Sequence, residues 1–497
     1  MRRTAAAIVA AVLALTACSP FDGGLPIPTS EPPTTAPGGT IGPTSTTDPT
    51  TPPTIGPPST SPVDDEGVAA DGLGDPYFPG LGNAGYDVTH YAVALTVDPD
   101  ANTLQGEVTI TATALIGMNG FHLDFGPDLT VTDVEFEGRA VTFTHENEEL
   151  LVRAPLGIIA GEEFTVTVRY GGTPEARVAP GTGGLPMGWQ QTGEGIFAVG
   201  EPDASHSWFP ANDHPSDKAE FTFRITVPEA FTAVANGELI SVTESGGFGT
   251  YTWEMDDPMA TYLAVLVVGE LERIDRGTVD GVVLRDYLDP VLAASDPAPL
   301  TAIPGILEFL ADVFGPFPFD EYGHVVVPGW PAALETQTIS VFGTPALAER
   351  VVVHEAAHQW FGDSITPATW RYTWLNEGFA TYAEWLWIEH RFGADALAAE
   401  VESARRVMSA PHAPIGDPGV DDLFGAGVYL KGALTLHALR REIGDDAFFG
   451  TLRTYAERFS GRNASTSDFA TIAEDVSGAH LDDFFSAWLD STTLPAG

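Results

Sequence analysis

The stretch VVVHEAAHQWFG, residues 351–362, sets two histidines and a glutamate into an apolar run. His354 and His358 are spaced i, i+4, so on a helix they share one face and can hold a single ion. Glu355 lies next to that face, in reach of a water on the ion. The spacing also suits a plain helix whose histidines bond to nearby carboxylates, so the motif alone leaves both readings open. A catalytic zinc keeps three protein ligands and one open position. WLNEGFATYAEWLW offers the third in Glu377, separated from His358 by 18 residues. Gly362 and the SITP turn let the chain reverse, so that two helices can pack antiparallel. Two imidazoles, one carboxylate and an open position give a water poised near neutral pH, and one Zn2+ is the cofactor this set implies.

These residues need a scaffold, and the chain has room for one. Its 497 residues suffice for two or three domains with real cores. From about 80 to 275, segments such as HYAVALTVD, EFTVTVRYGG and AEFTFRITVP alternate with period two and are rich in valine and threonine. They predict an all-β domain over 76–278. After that the pattern turns helical: 298–315, 346–361, 375–392, 396–409, 428–443, 446–459 and 467–489, with HVVVPGW as a short buried strand. A mixed, mostly helical domain is expected over 279–497.

The first 75 residues read differently. MRR and the apolar run Ala5 to Leu15 form a signal segment over 1–17, too short for a stable membrane span. It ends in LTAC, which resembles a bacterial lipobox with Cys18 as the lipidated residue. Cys18 is the only cysteine, so no disulfide can form within one chain. Residues 18–75 are rich in proline and threonine and predict an extended tether. The expected location is therefore outside the cell, lipid-anchored to the outer face of a bacterial membrane or secreted. The anchor is the only membrane contact expected. The formal charge of −47, from 22 basic and 69 acidic residues, argues against nucleic-acid partners. It suits a solvated acidic surface, and it would also attract cationic ligands such as free peptide amines. Only two of the basic residues are lysines, Lys218 and Lys431. Oligomeric state is not legible.

HExxH followed after 18 residues by the glutamate of NEG resembles the gluzincin metallopeptidases of the aminopeptidase N type, the group that includes leukotriene hydrolase. Thermolysin-like endopeptidases share nearly the same spacing, and other segments separate the two. PAALETQT, 331–338, corresponds to the family's Gly-Ala-Met-Glu-Asn segment, with its glycine and asparagine replaced. The resemblance implies that Glu335 holds the substrate's free α-amine and that Ala332 and Ala333 border the substrate. GEPDASHSWFPANDHPSDK, 200–218, resembles the family's Phe-Pro-Cys-Phe-Asp-Glu-Pro stretch through Phe209, Pro210, Asp213 and Pro215. There Ala211 replaces the cysteine, His206 an arginine and Val199 a glutamine. Glu201 falls where many members carry a second amine-binding glutamate. GVYLKGA, 427–433, matches the helix whose tyrosine, here Tyr429, gives its phenol to the oxyanion. Glu384, seven residues after Glu377, takes the position of a carboxylate that orients a zinc histidine.

The resemblance therefore implies a β saddle followed by a thermolysin-like catalytic domain. It also implies a short form without the helical cap of larger members. The reaction implied is removal of N-terminal residues from peptides, with Glu355 as base. A thermolysin-like endopeptidase and a noncatalytic surface binding protein remain as alternatives.

Overall fold

A computed structural model of the protein describes residues 63–64 and 66–495. Cys18, the signal segment and most of the expected tether lie outside the described residues. The last part of that expected tether is not a tether. Val68 pairs with Gly120, Asp71 pairs with Asn83, and Val68, Ala69 and Asp75 are buried. Low apolar content hides this docking from a composition-based boundary at 75.

The β part is built on an eight-stranded sheet. Its spatial order is Glu238–Ser245, Phe248–Ala260, Lys218–Pro228, Tyr86–Asp98, Thr103–Ala114, Glu163–Gly172, Leu129–Phe136 and Arg139–Ala140. One pairing is parallel, Tyr86–Asp98 beside Lys218–Pro228 with His90 opposite Glu220. Alternate residues of these strands point inward, and Val93, Leu95, Phe221, Phe223 and Ile225 are all buried. A five-stranded sheet (Thr232–Ala235, Leu266–Gly269, Gly195–Val199, Met187–Gln191, Ala176–Arg177) faces the second part of the chain.

The catalytic sheet runs Glu272–Val279, Val282–Leu288, Glu321–Val327, Ser340–Gly343, Ala333–Leu334. The strand Glu272–Val279 thus belongs here and not to the β domain, which moves the junction from 278 to about 270. Alternation marks a strand but does not say which sheet it joins. Glu321–Val327 is buried on both faces: Val325 and Val327 extend the β-domain core, while Tyr322 and Val326 join the helical core. The continuous apolar run HVVV follows from that two-sided burial.

Among the described residues, eight helices of eight residues or more make up the helical part: α1 (Ile303–Phe314), α2 (Glu349–His358), α3 (Trp374–Phe392), α4 (Ala394–Val407), α5 (Gly432–Ile443), α6 (Asp445–Phe459), α7 (Thr466–Ser477) and α8 (Asp482–Leu489). The single helix expected over 467–489 is two. Gly478 adopts φ 69° and ends α7, as a left-handed C-terminal glycine does. Trp374, Trp385 and Trp387 are core residues. Lys431 is also buried, and its Nζ donates to the Ser491 carbonyl at 2.5 Å, tying the C-terminal segment to α5. Among the described residues no helix is long and apolar enough to cross a membrane.

Candidate active site

Helix α2 carries the HEAAH motif. Val352 and Val353 pack into the helical core, which turns His354 and His358 toward α3. Glu377 lies in the first turn of α3 and meets both rings. Its Oε2 is 3.2 Å from His354 Nε2 and 3.5 Å from His358 Nε2. Three ligand atoms around one tetrahedral zinc stand about 3.3 Å apart at the usual bond lengths of about 2.0–2.1 Å. Both distances from Glu377 match that spacing, and all three atoms lie within 4.8 Å of one another. The other nitrogens are already committed. His354 Nδ1 is 2.7 Å from Glu384 Oε1, and His358 Nδ1 donates to the Phe361 carbonyl at 3.0 Å. Both Nε2 atoms are therefore turned toward Glu377, the orientation that shared ligation of one ion requires.

Glu384 is held in turn. Burial opposes its ionisation, yet the Arg350 guanidinium and His354 keep its pKa below the ordinary range. Arg350 bonds Glu384 on one side and Glu400 on the other, the latter at 2.9 Å. Arg350 escapes the sequence reading, although it stands one helical turn before His354.

Three more carboxylates converge on the metal triad. Glu335, Glu355 and His358 form one close group, and Glu201, Glu335 and Glu377 another, each within 4.8 Å. Burial pushes the Glu355 carboxyl up to about 8. Burial also raises Glu201 well above its usual range, with repulsion from Glu335 and Glu377 adding to it. Oε1 of Glu201 and Oε1 of Glu335 are buried without a hydrogen-bond partner. Two buried carboxylate oxygens in one cluster without a protein partner call for a cation that donates to both.

Glu335 is placed by the short edge strand Ala333–Leu334, which pairs antiparallel with Ser340–Gly343. Ala332 precedes it, and its carbonyl accepts from Gly343 N–H at 2.8 Å. Gln359, the residue after His358, reads the backbone on both sides of the loop. It donates to the Glu335 carbonyl at 3.0 Å and accepts from Thr338 N–H at 2.8 Å. The β domain adds Asn236, whose amide donates to the Gln337 carbonyl at 2.8 Å. Gln359 and Asn236 were not legible as site residues, because nothing local marks an amide that bonds to a distant backbone.

Tyr429 sits on a π-helical turn, Gly427–Lys431, that runs into α5. Such turns are often found at functional sites. Its ring stacks on His354 with centroids 5.9 Å apart. Burial raises its pKa well above the usual value, and Glu377, Glu201, Glu335 and Glu355 add to the rise. The phenol is thus a proton-bearing donor facing the carboxylates. Two glycines set its distance from Glu377. A Cβ on Gly378 would stand 2.9 Å from Gly432 Cα, so α3 and α5 cross with their backbones in contact. In the segment 200–218, His206 occupies the arginine position and pairs with Asp213 at 2.7 Å, and Thr261 donates to the same carboxylate at 2.6 Å. Phe209 and Ala211 are fully buried beneath.

A β-rich first half, a helical second half and a His-His-Glu triad beside an edge strand define a two-domain zinc-peptidase architecture. Residues 87–263 match the peptidase M1 N-terminal domain, and residues 300–488 match the peptidase family M1 domain. The chain is similar to the M1 zinc metallopeptidase of Deinococcus radiodurans, with 37% identity and a TM-score of 0.81, covering 86% of this chain and 99% of that one. A glutamate-to-alanine variant of that metallopeptidase, solved with the substrate Tyr-Ser-Ala, is 36% identical with a TM-score of 0.80 over the same shares. Aminopeptidase M1-C of Oryza sativa subsp. japonica is 27% identical over 442 residues, 82% of this chain and 49% of its own length. The chain thus spans about half the length of the plant relatives it matches. It belongs to peptidase family M1.

Proposed function

We propose that this chain is a zinc-dependent aminopeptidase that removes the N-terminal residue from peptides. The observation that carries the reading is the pair of unpartnered carboxylate oxygens, on Glu201 and Glu335, beside the ligand carboxylate Glu377. A protonated α-amine held there lies a fixed distance from the triad, and that distance measures off one residue. His354, His358 and Glu377 would hold the ion. A zinc ion bound to them would supply Lewis acidity to the scissile carbonyl and lower the pKa of the attacking water. Glu355 takes a proton from that water and later returns it to the leaving amine. Tyr429 donates its phenol hydrogen to the oxyanion, where charge develops only in the transition state. Glu384, held by Arg350, fixes the ring of His354. Ala332 and Ala333 offer an edge-strand backbone along which an extended peptide can lie.

The test is a panel of aminoacyl amides and short peptides with free and N-acetylated termini, assayed with and without chelator. Hydrolysis of the free-amine substrates alone, lost on chelation and restored by zinc, is the expected result. Cleavage of the N-acetylated peptides would show an endopeptidase instead. Purified protein that binds no zinc would return the noncatalytic binding reading.

The proposed place of action is outside the cell, with Cys18 lipidated as a membrane anchor or the chain secreted. The lipobox-like LTAC and the Pro/Thr-rich stretch support it. Cys18→Ser should release the protein from the membrane fraction, and unchanged partitioning would remove the anchor.

A further inference from the structure

The turn that follows α2 presents four consecutive carbonyls, and each one is taken. The Phe361 carbonyl accepts from His358 Nδ1 at 3.0 Å. The Gly362 carbonyl accepts from the Tyr262 hydroxyl at 2.6 Å. The carbonyls of Asp363 and Ser364 both accept from Lys218 Nζ, each at 2.8 Å. The first bond goes to a metal histidine. The other three come from the β domain, where Lys218 opens the strand Lys218–Pro228 and Tyr262 lies in the 3-10 turn Thr261–Leu263.

The turn is also closed on itself. Asp363 N–H donates to the His358 carbonyl at 3.0 Å, and Gly362 N–H to the Ile365 carbonyl at 2.8 Å. Gly362 has φ 135°, and a Cβ there would meet His358 Nδ1 at 3.1 Å. The turn therefore passes close enough behind the imidazole to exclude a side chain at 362. Tyr262 is buried, edge-on to Trp370 with centroids 4.9 Å apart. Burial lowers the Lys218 pKa to about 7, yet two donor hydrogens are present in either charge state.

We propose that Lys218 and Tyr262 are positioning residues for the metal centre. By fixing carbonyls 362–364 they fix the Phe361 carbonyl, and through it the ring and tautomer of His358. The β domain thereby sets how tightly the catalytic domain holds its ion. This inference rests on the zinc reading of the triad.

The experiment compares Tyr262→Phe and Lys218→Met with Tyr77→Phe. Tyr77 makes a different bridge, donating to Asp417 at 2.6 Å and accepting from Gly419 N–H at 2.9 Å, and touches no part of the turn. Zinc affinity is read by competition with a chromophoric chelator, and the visible spectrum of the cobalt-substituted protein reports ligand geometry. Outer partners of metal ligands typically carry about 10–100-fold in metal affinity. Tyr262→Phe and Lys218→Met, which act one bond further out, should lose zinc affinity toward the lower end of that range and shift the cobalt bands. Tyr77→Phe should keep both, even where its melting temperature falls as far. Wild-type affinity in Tyr262→Phe, or an equal loss in Tyr77→Phe, would overturn the proposal. If Lys218→Met does not fold, Tyr262→Phe, which removes one oxygen, decides alone. A wild-type protein that binds no zinc would overturn the metal reading itself, an outcome separate from any difference among the variants.

Discussion

Glu335→Gln tests the amine cradle most directly. Glu335 is buried, and its Oε1 has no partner within the protein. An ammonium seated there would make a charge-assisted hydrogen bond, worth about 1.5–3 kcal/mol. Glutamine keeps the shape and an oxygen but loses the charge. The loss in kcat/KM on free-amine substrates should then be about 10–150-fold, at roughly 1.4 kcal/mol per decade. Glu201 still offers its own oxygen, so binding is weakened and not abolished. If the amine is held equally in ground and transition states, the change falls on KM. Zinc content should not change, since the carboxylate is 3.8 Å from His358 Nδ1 and that nitrogen is bonded to Phe361. The assay is steady-state kinetics on an alanyl amide and its N-acetylated counterpart, with metal analysis of each preparation. Activity within about twofold of wild type would refute the cradle. An equal loss on a blocked substrate that wild type can cut would refute it too.

Other expectations follow from the same geometry. Glu355→Gln should keep its zinc and lose about 10²–10⁴ in kcat, the usual size of a general-base effect, by turnover and metal analysis. Tyr429→Phe should lower kcat by about 10²–10³ with KM little changed, because its donor acts on the oxyanion. Gly432→Ala should cost about 1–3 kcal/mol in denaturant unfolding, because its Cβ would meet Gly378 Cα at 2.7 Å and force two helices apart. The pH dependence of stability has a definite sign. Burial raises Asp124 to about 7 and Glu149 to about 9, and His206 is raised because its bond to Asp213 outweighs its burial. Each of these groups holds its proton to higher pH when folded than when unfolded, so each loses its contribution as pH rises. The melting temperature should therefore fall between pH 5 and 7 in zinc-saturated protein, below the range where Lys218 and Lys431, lowered by burial to about 7 and 8, act in the opposite sense, and a rise across that window would contradict the burial of these groups.

The site's ligand atoms were legible because helical spacing is a rule of geometry. An i, i+4 histidine pair must share a face, whatever fold surrounds it. The meeting of Glu201 with Glu335 was legible only through resemblance, since they come from different domains and no spacing links them. The strand Glu272–Val279 was legible as a strand and misplaced as to sheet, because its pairing with Val282–Leu288 is a tertiary choice. The parallel pairing of Tyr86–Asp98 with Lys218–Pro228 joins segments more than a hundred residues apart, which period-two patterning cannot reveal. The roles of Arg350, Gln359, Lys218 and Tyr262 leave no local mark in the sequence, for a common reason. Each acts by bonding to backbone or to a side chain far along the chain, and residue type alone carries no sign of it.

Lys218 and Lys431 are the chain's only lysines, and both turn their amines onto backbone carbonyls. Reagents that acylate amines should therefore find little to modify on the folded exterior, and lysine cross-linkers should leave it largely unmarked. What such reagents record is opening. Modification of Lys218 would time the parting of the β domain from the turn behind the triad, and modification of Lys431 the release of the C-terminal segment. Two residues thus divide the molecule's breathing into separately countable events, readable by mass spectrometry without any engineered probe.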